Sequence, residues 1–398
     1  MRQIRVQPII RHAILFSAIV VALQLVGRQK MLQDPGTFWH TVVGERILAS
    51  NSLPRTDWLS FTQDGTPWIA QQWLGELSMA LVHRLSGLDG LLWTTSIMLA
   101  GIFAFLGIRL RDAGLAWRHV VLLLILAMAA SSYHFLVRPH VFTMAAMTLV
   151  FSLLCDVESG RIPLARLWLL PPAFIVWVNV HGGVLGGLAT VLFVTLGWII
   201  WKRRPARDAR SIVVIGAVCS LCIAAMLVNP YGAALPATWL RLMTSPVLPT
   251  MVVEHAPVNP FSFEGAMLGA LAVVYLGCLY KACNRPLNLT WLVPLLWLPM
   301  AFSRIRHGPL FVITAVIAIA EMSPLVFVAQ NVLPKLGGYI RSAVVCAGLF
   351  ILGIVLQLSG ANLPIVGRNW ARISPDYWPT QSIAALGGVR PGNHPPRQ

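Results

Sequence analysis

Eleven apolar runs follow one another along the chain, at 13–26, 89–108, 119–137, 141–156, 166–180, 184–201, 211–228, 263–281, 288–303, 309–328 and 341–358. Most are near the length a helix needs to cross a hydrocarbon layer of roughly 30 Å. A backbone in lipid must satisfy its own hydrogen bonds, so runs of this kind fold as helices. Composition agrees: 57% of residues are hydrophobic, 11% are charged, and the mean hydropathy is +0.72. Those values exclude a soluble enzyme, a disordered chain, a secreted disulfide scaffold and a coiled coil. The expectation is an all-α polytopic membrane protein of about eleven transmembrane helices (range 10–12) over residues 1–358, with a short Pro- and Gly-rich tail at 359–398. No internal repeat is visible. Disorder is the simplest expectation for the tail, although Trp370 and Trp378 are residues that hold a segment at an interface.

The 30 Lys and Arg against 14 Asp and Glu give a formal charge of +16. In a soluble protein this would suggest nucleic acid; in a membrane protein it reports sidedness, and no nucleic-acid partner is expected. Arg2, Arg5 and Arg11 precede the first apolar run, and no small-residue cleavage site follows it, so the run reads as an uncleaved first helix with a cytoplasmic N-terminus. The stretch 67–87 carries Ile69, Trp73, Leu77 and Leu81 at helical spacing opposite Gln72, Glu76 and His83, and reads as interfacial. The loops that then face the cytoplasm hold fourteen basic residues, including Lys202, Arg203, Arg204, Arg207 and Arg210, against four in the opposite short loops, Arg138, Arg241, Arg304 and Arg306. The C-terminus is then external, as are the long loops 28–88 and 229–262.

Every polar loop that is not merely basic falls on this external side: Asp34-Pro35-Gly36-Thr37-Phe38-Trp39-His40, Arg138-Pro139-His140, Asn179-Val180-His181-Gly182-Gly183, Asn229-Pro230-Tyr231-Gly232 with Glu254-His255, and Arg304-Ile305-Arg306-His307. Ionisable groups at span ends are costly and face protein-lined cavities, so their gathering on one side points to a site there. Asp34 followed by Pro is also how a helix N-cap is spelled, ahead of the amphipathic stretch Phe38, Trp39, Val42, Val43 and Ile47. Around Asp57, and from Gln63 to Thr66, the chain reads as turns. Arg138, Arg304 and Arg306 are not explained by sidedness; a guanidinium at such a place suits a phosphate, or pairs with Glu254, Glu76 or a lipid headgroup. No cofactor is expected, and the histidines lack the spacing of a metal site, which leaves a divalent cation with Asp34 and Glu254 a minor alternative. Cys219 and Cys222 read as packing residues.

The run DPGTFWHTVVGERILASNSLPRTDWLSFTQDGTPWIAQQWLGE resembles the first external loop of a large group of bacterial membrane proteins related to glycosyltransferases of the GT-C fold, which use polyprenyl-phosphate sugars. RPH, NVHGG, NPYG, VVEHAPVNP and SRIRHG extend the resemblance over most of the chain. It implies an inverting sugar transfer from a lipid-phosphate donor to an acceptor hydroxyl on a glycan, lipid or protein, at the external face of the inner membrane. Asp34 would be the general base, and Arg138, Arg304 and Arg306 would bind the donor phosphate. Trp39, Trp68, Trp73, His40, Glu76, His181, Glu254, His255 and His307 would contact sugar or acceptor. Many relatives carry a second acid where this chain has Gly36, and many continue into a longer external C-terminal segment. A lipid-linked glycan polymerase or ligase, a transporter, and a non-catalytic subunit working with envelope-assembly partners stay open beside this reading.

Overall fold

A computed structural model describes the backbone of residues 7–326 and 336–380. Among these residues, fourteen α-helices run in the order α1 (Gln7–Lys30), α2 (Pro35–Ser50), α3 (Trp73–Asp112), α4 (Trp117–Ser131), α5 (His140–Glu158), α6 (Leu170–Val180), α7 (Val184–Ile200), α8 (Ala209–Ala225), α9 (Ala234–Thr244), α10 (Leu248–Met251), α11 (Phe263–Ala282), α12 (Val293–Ser303), α13 (Gly308–Val326) and α14 (Leu336–Leu358). Short 3-10 turns, among them Leu164–Leu169 and Leu289–Leu292, link several of them. No strand occurs among the described residues; an isolated bridge pairs Thr56 with Pro67.

Each of the eleven apolar runs lies in or beside a helix. Five helical segments among the described residues are long and apolar enough to cross a membrane: Ile10–Lys30, Trp73–Asp112, His140–Glu158, Phe263–Ala282 and Ile305–Val326. Five more apolar ones are shorter. The run at 119–137 stops early as a helix, because Ser131 and Ser132 turn their hydroxyls back onto the carbonyls of Ala127 and Ala129 and a 3-10 turn takes over at Ser132–His134.

The bundle is organised around α13, which packs against α3, α4, α5, α11 and α12. Phe311, Val312, Ile313, Ala315, Ile317, Ala318 and Ile319 on α13 are all fully buried, so its apolar character runs all round. Around it the large rings of Phe103, Phe151, Phe174, Trp177, Trp198 and Tyr275 are buried. The outward faces stay apolar as well: Leu122, Ile125, Leu149, Leu196, Val213, Val273 and Ile351 are exposed. An apolar core inside an apolar exterior is the surface of a helical membrane protein.

The stretch expected to be interfacial and the run that follows it are two helical arms that meet at Gly87, together the 40 residues of α3. At 1.5 Å per residue it would measure about 60 Å if straight, roughly twice a hydrocarbon layer. It bends at Gly87, whose φ of 59° and ψ of −152° lie outside the helical region and fit glycine alone. The N-terminal arm of α3 then lies against α2, and the C-terminal arm enters the bundle. Glu76 faces inward, 2% exposed, and Leu81 is 46% exposed, while Trp73 and Leu77 of the expected apolar stripe are half-buried against Val43 and Ile47.

The tail is ordered as far as it is described. Asp89 accepts from the backbone N–H groups of Asn369 and Ala371, the Arg28 guanidinium stacks 4.2 Å from the Trp370 ring, and Trp378 donates to the Leu32 carbonyl and sets its ring edge-on to Phe38. This corrects the expectation of disorder for 359–380: the tryptophans hold that half. Residues 381–398 lie outside the described part.

Candidate functional site

Asp34 ends the turn after α1 and caps α2. One carboxylate oxygen accepts from the Gly36 N–H at 2.5 Å, with Pro35 at the first helical position. Backbone contacts bring a distant loop here: the Val137 N–H donates to the Met31 carbonyl at 3.0 Å and the Thr37 hydroxyl to the Val137 carbonyl at 3.0 Å. The next residue, Arg138, is thereby laid over the start of α2. Its guanidinium donates to Glu254 at 2.7 Å and stands 3.5 Å from the second oxygen of Asp34. Gly36 makes room for it, since a Cβ there would overlap the guanidinium.

Glu254 sits in the loop before α11. That loop is tied to the turn between α12 and α13, because Val258 N–H donates to Phe302 and Ile305 N–H to Ala256, at 2.9 and 3.0 Å. Burial opposes ionisation of Glu254, but the Arg138 and Arg306 guanidiniums outweigh it and hold its pKa well below the ordinary carboxylate range. Arg306 donates to His255 Nε2. A guanidinium has no acceptor, so the His255 proton is on Nδ1, which is buried without a hydrogen-bond partner. Burial, then Arg306, pushes the His255 pKa down to about 4.

Three more histidines line up beneath. His134 Nε2 donates to the Ile305 carbonyl at 3.0 Å and His140 Nε2 to the His134 carbonyl at 2.6 Å. The rings of His134 and His140 are 5.5 Å apart, those of His140 and His181 6.4 Å. His181 Nδ1 accepts from the Gly183 N–H, and from a Thr143 hydroxyl that is itself held by the Trp177 N–H. Its Nε2 therefore carries the proton.

The structure thus gathers Asp34, Arg138, Glu254, His255 and Arg306, with His181 next to them, at one end of the helices. Other expected contacts lie apart. His40 and Glu76 form a buried pair, 3.0 Å, where α2 crosses α3; the second oxygen of Glu76 has no hydrogen-bond partner. Trp73 donates to Asn179 at 2.8 Å. Trp39 and Trp68 meet edge-on at 6.3 Å on the outside of the first loop. Arg304 turns away and donates to the Met243 carbonyl, and His307 lies against Trp297 and the Met300 carbonyl. His134 escapes a sequence reading because it falls inside the run at 119–137, where a histidine looks like part of a span.

Asn229 closes its own turn through Tyr231 N–H and the Met226 and Gly232 carbonyls, and the Tyr231 hydroxyl holds Pro54 and Ala70 of the first loop. The NPYG motif is thereby a structural clasp. Asp57 caps Leu59 and Ser60, and Gly65, at φ 78°, turns the chain back toward it, as expected of turns. Among the described residues, no three His, Cys, Asp or Glu side chains gather as a metal ion would require.

No known protein-family profile matches this chain, and none of the curated proteins matches it.

Proposed function

We propose that this chain is a GT-C-like membrane glycosyltransferase that moves a sugar from a polyprenyl-phosphate donor to an acceptor hydroxyl, with inversion, at the external face of a bacterial inner membrane crossed about eleven times. One observation carries the reading. Two carboxylates, Asp34 and Glu254, and two guanidiniums, Arg138 and Arg306, share a cluster at the end of an apolar bundle, with Arg138 between the carboxylates. A soluble-facing ion cluster needs no function; one kept at the rim of lipid-facing helices is costly unless it handles charge.

In the transfer, the acceptor oxygen forms a bond to the anomeric carbon while the bond from that carbon to the lipid-phosphate oxygen breaks. The electron pair leaves with the phosphate and the acceptor proton passes to a carboxylate. The guanidiniums suit the departing phosphate, a planar fork against tetrahedral oxygens. Asp34 is the base in this reading: one oxygen is spent on the helix cap and the other faces Arg138. A phosphate that draws Arg138 to itself frees this second oxygen to take the acceptor proton as the acceptor arrives. Gly36 stands where many proteins of the resembled group carry a second acid, and Arg138 fills that space here. Glu254, brought by a different loop, supplies the second carboxylate.

A polyprenyl monophosphate, which the transfer leaves behind, tests the phosphate-binding half. It should bind the detergent-solubilised protein, and Arg138→Gln or Arg306→Gln should weaken it about tenfold or more, the loss of one charge-assisted hydrogen bond. Equal affinity in wild type and both variants would contradict the assignment.

A further inference from the structure

The opposite ends of α5 and α7 enclose a second polar feature that the proposed sugar transfer does not use. From His140 to Glu158, α5 spans about 28 Å at 1.5 Å per residue, so this feature lies a bilayer's thickness from the cluster at Asp34. A cavity of about 480 Å³ opens there, lined by Glu158, Ser159, Trp201, Asn288 and the basic turn Lys202, Arg203, Arg204 and Arg207.

Four cations face one carboxylate, and that carboxylate is already held by three hydrogen bonds from another segment. Glu158 accepts from the Leu289 N–H at 2.7 Å, the Thr290 N–H at 2.9 Å and the Thr290 hydroxyl at 2.7 Å. It fastens α5 to the turn before α12 and leaves the guanidiniums unpaired by it. Arg109 and Arg161 nearby are neutralised differently, each reaching both Asp156 and Glu321. Asp208, just beyond the basic turn, is committed to capping α8 through Ser211. In the turn itself Arg204 donates to the Ser159 carbonyl at 3.1 Å, which fixes the rim. Arg203 Nε is buried and has no hydrogen-bond partner, an N–H donor withdrawn from water and left open.

A concave site with surplus positive charge, an unsatisfied buried donor and an exposed tryptophan at its edge, Trp201, fits an anion with several oxygens. We propose that this cavity binds a phosphate group, carried by an anionic phospholipid headgroup or by a free pyrophosphate. Arg203 and Arg207 are its principal donors and Trp201 sits beside the acyl or headgroup region. The inference stands apart from the sugar-transfer reading, because it uses no residue of the Asp34 cluster.

The test uses the full-length protein in phosphatidylcholine-containing micelles, titrated separately with phosphatidylglycerol and with inorganic pyrophosphate, and reads the thermal midpoint of unfolding. A ligand that binds only the folded state raises that midpoint. Phosphatidylglycerol should raise it by a few degrees in wild type and in Arg138→Gln. The rise should be lost in the double variant Arg203→Gln with Arg207→Gln, and reduced in Lys202→Gln, whose side chain is exposed and whose loss leaves packing intact. Native mass spectrometry of the same samples should show retained phosphatidylglycerol lost in parallel. A rise with pyrophosphate as well identifies the phosphate alone as the ligand; a rise with phosphatidylglycerol only identifies the lipid headgroup. No rise with either, or the same rise in the double variant and Lys202→Gln as in wild type, would overturn the proposal.

Discussion

Charges at the rim of an apolar bundle are governed by their nearest partners. Arg138 holds Glu254 and reaches Asp34, and Arg306 holds His255. The residue types and their crowding on one side were legible from motifs such as RPH and SRIRHG, and a pairing with Glu254 was among the readings they allowed, but which arginine would make it was not. Which arginine turns inward depends on two backbone ties, Val137 to Met31 and Ile305 to Ala256, that join segments far apart in sequence. Hence Arg304, two residues from Arg306, faces the Met243 carbonyl instead. The His255 pKa carries a prediction at this scale. It falls from an ordinary value near 6.5 to about 4 in the folded protein. Between those values the unfolded chain takes up a proton that the folded one refuses, so His255 costs no stability above pH 6.5 and destabilises progressively as the pH falls to about 4. Thermal midpoints of the solubilised protein should drop over that window, and His255→Gln should flatten part of the drop. An identical pH profile in the variant would show that His255 takes up its proton freely in the fold.

Helices were the most legible elements, because an apolar run of sufficient length has one way to satisfy its backbone. Their inward faces were far less so. The sequence of α2 suggests a buried stripe of Phe38, Trp39, Val42, Val43 and Ile47, yet the structure buries Gly36, Thr37, His40, Thr41 and Gly44 with Val43 and Ile47, and exposes Trp39 and Val42. Where the surroundings are as apolar as the core, hydrophobicity no longer marks the inside, and small residues that permit close approach take that role. Gly44 is the tightest case: a Cβ there would overlap the Glu76 carbonyl on α3. Backbone cannot step aside as a side chain can. Gly44→Ala should therefore prise α2 from α3 and lower stability by about 1–3 kcal/mol, read as a lower thermal midpoint. The same change at Gly101 on α3, where no atom lies near the added Cβ, should be tolerated. Equal midpoints for the two variants would mean that α2 does not pack against α3 this closely.

At the scale of the molecule, two charge clusters among the described residues lie at opposite ends. Asp34, Arg138, Glu254 and Arg306 lie at one; Arg109, Asp156, Glu158, Arg161 and Glu321 lie at the other, with the basic turn from Lys202 to Arg207. If the basic end is cytoplasmic, single cysteines at the exposed positions Gln63 and Arg207, in a chain with its native cysteines replaced, should differ: an impermeant thiol reagent on intact spheroplasts should label Gln63→Cys and spare Arg207→Cys. The reverse pattern would invert the orientation. The central claim, that the Asp34 end transfers a sugar, is tested most directly by the masses of surface glycans from cells with the gene, without it, and with Asp34→Asn in its place. Asn caps a helix nearly as well as Asp, so the variant should fold and accumulate normally, but it cannot accept the acceptor proton, a step worth roughly 10²–10⁴-fold. Loss of a sugar-sized mass on deletion, restored by wild type and not by an equally abundant Asp34→Asn protein, is the predicted result. Glycans unchanged by deletion, or fully restored by Asp34→Asn, would contradict it.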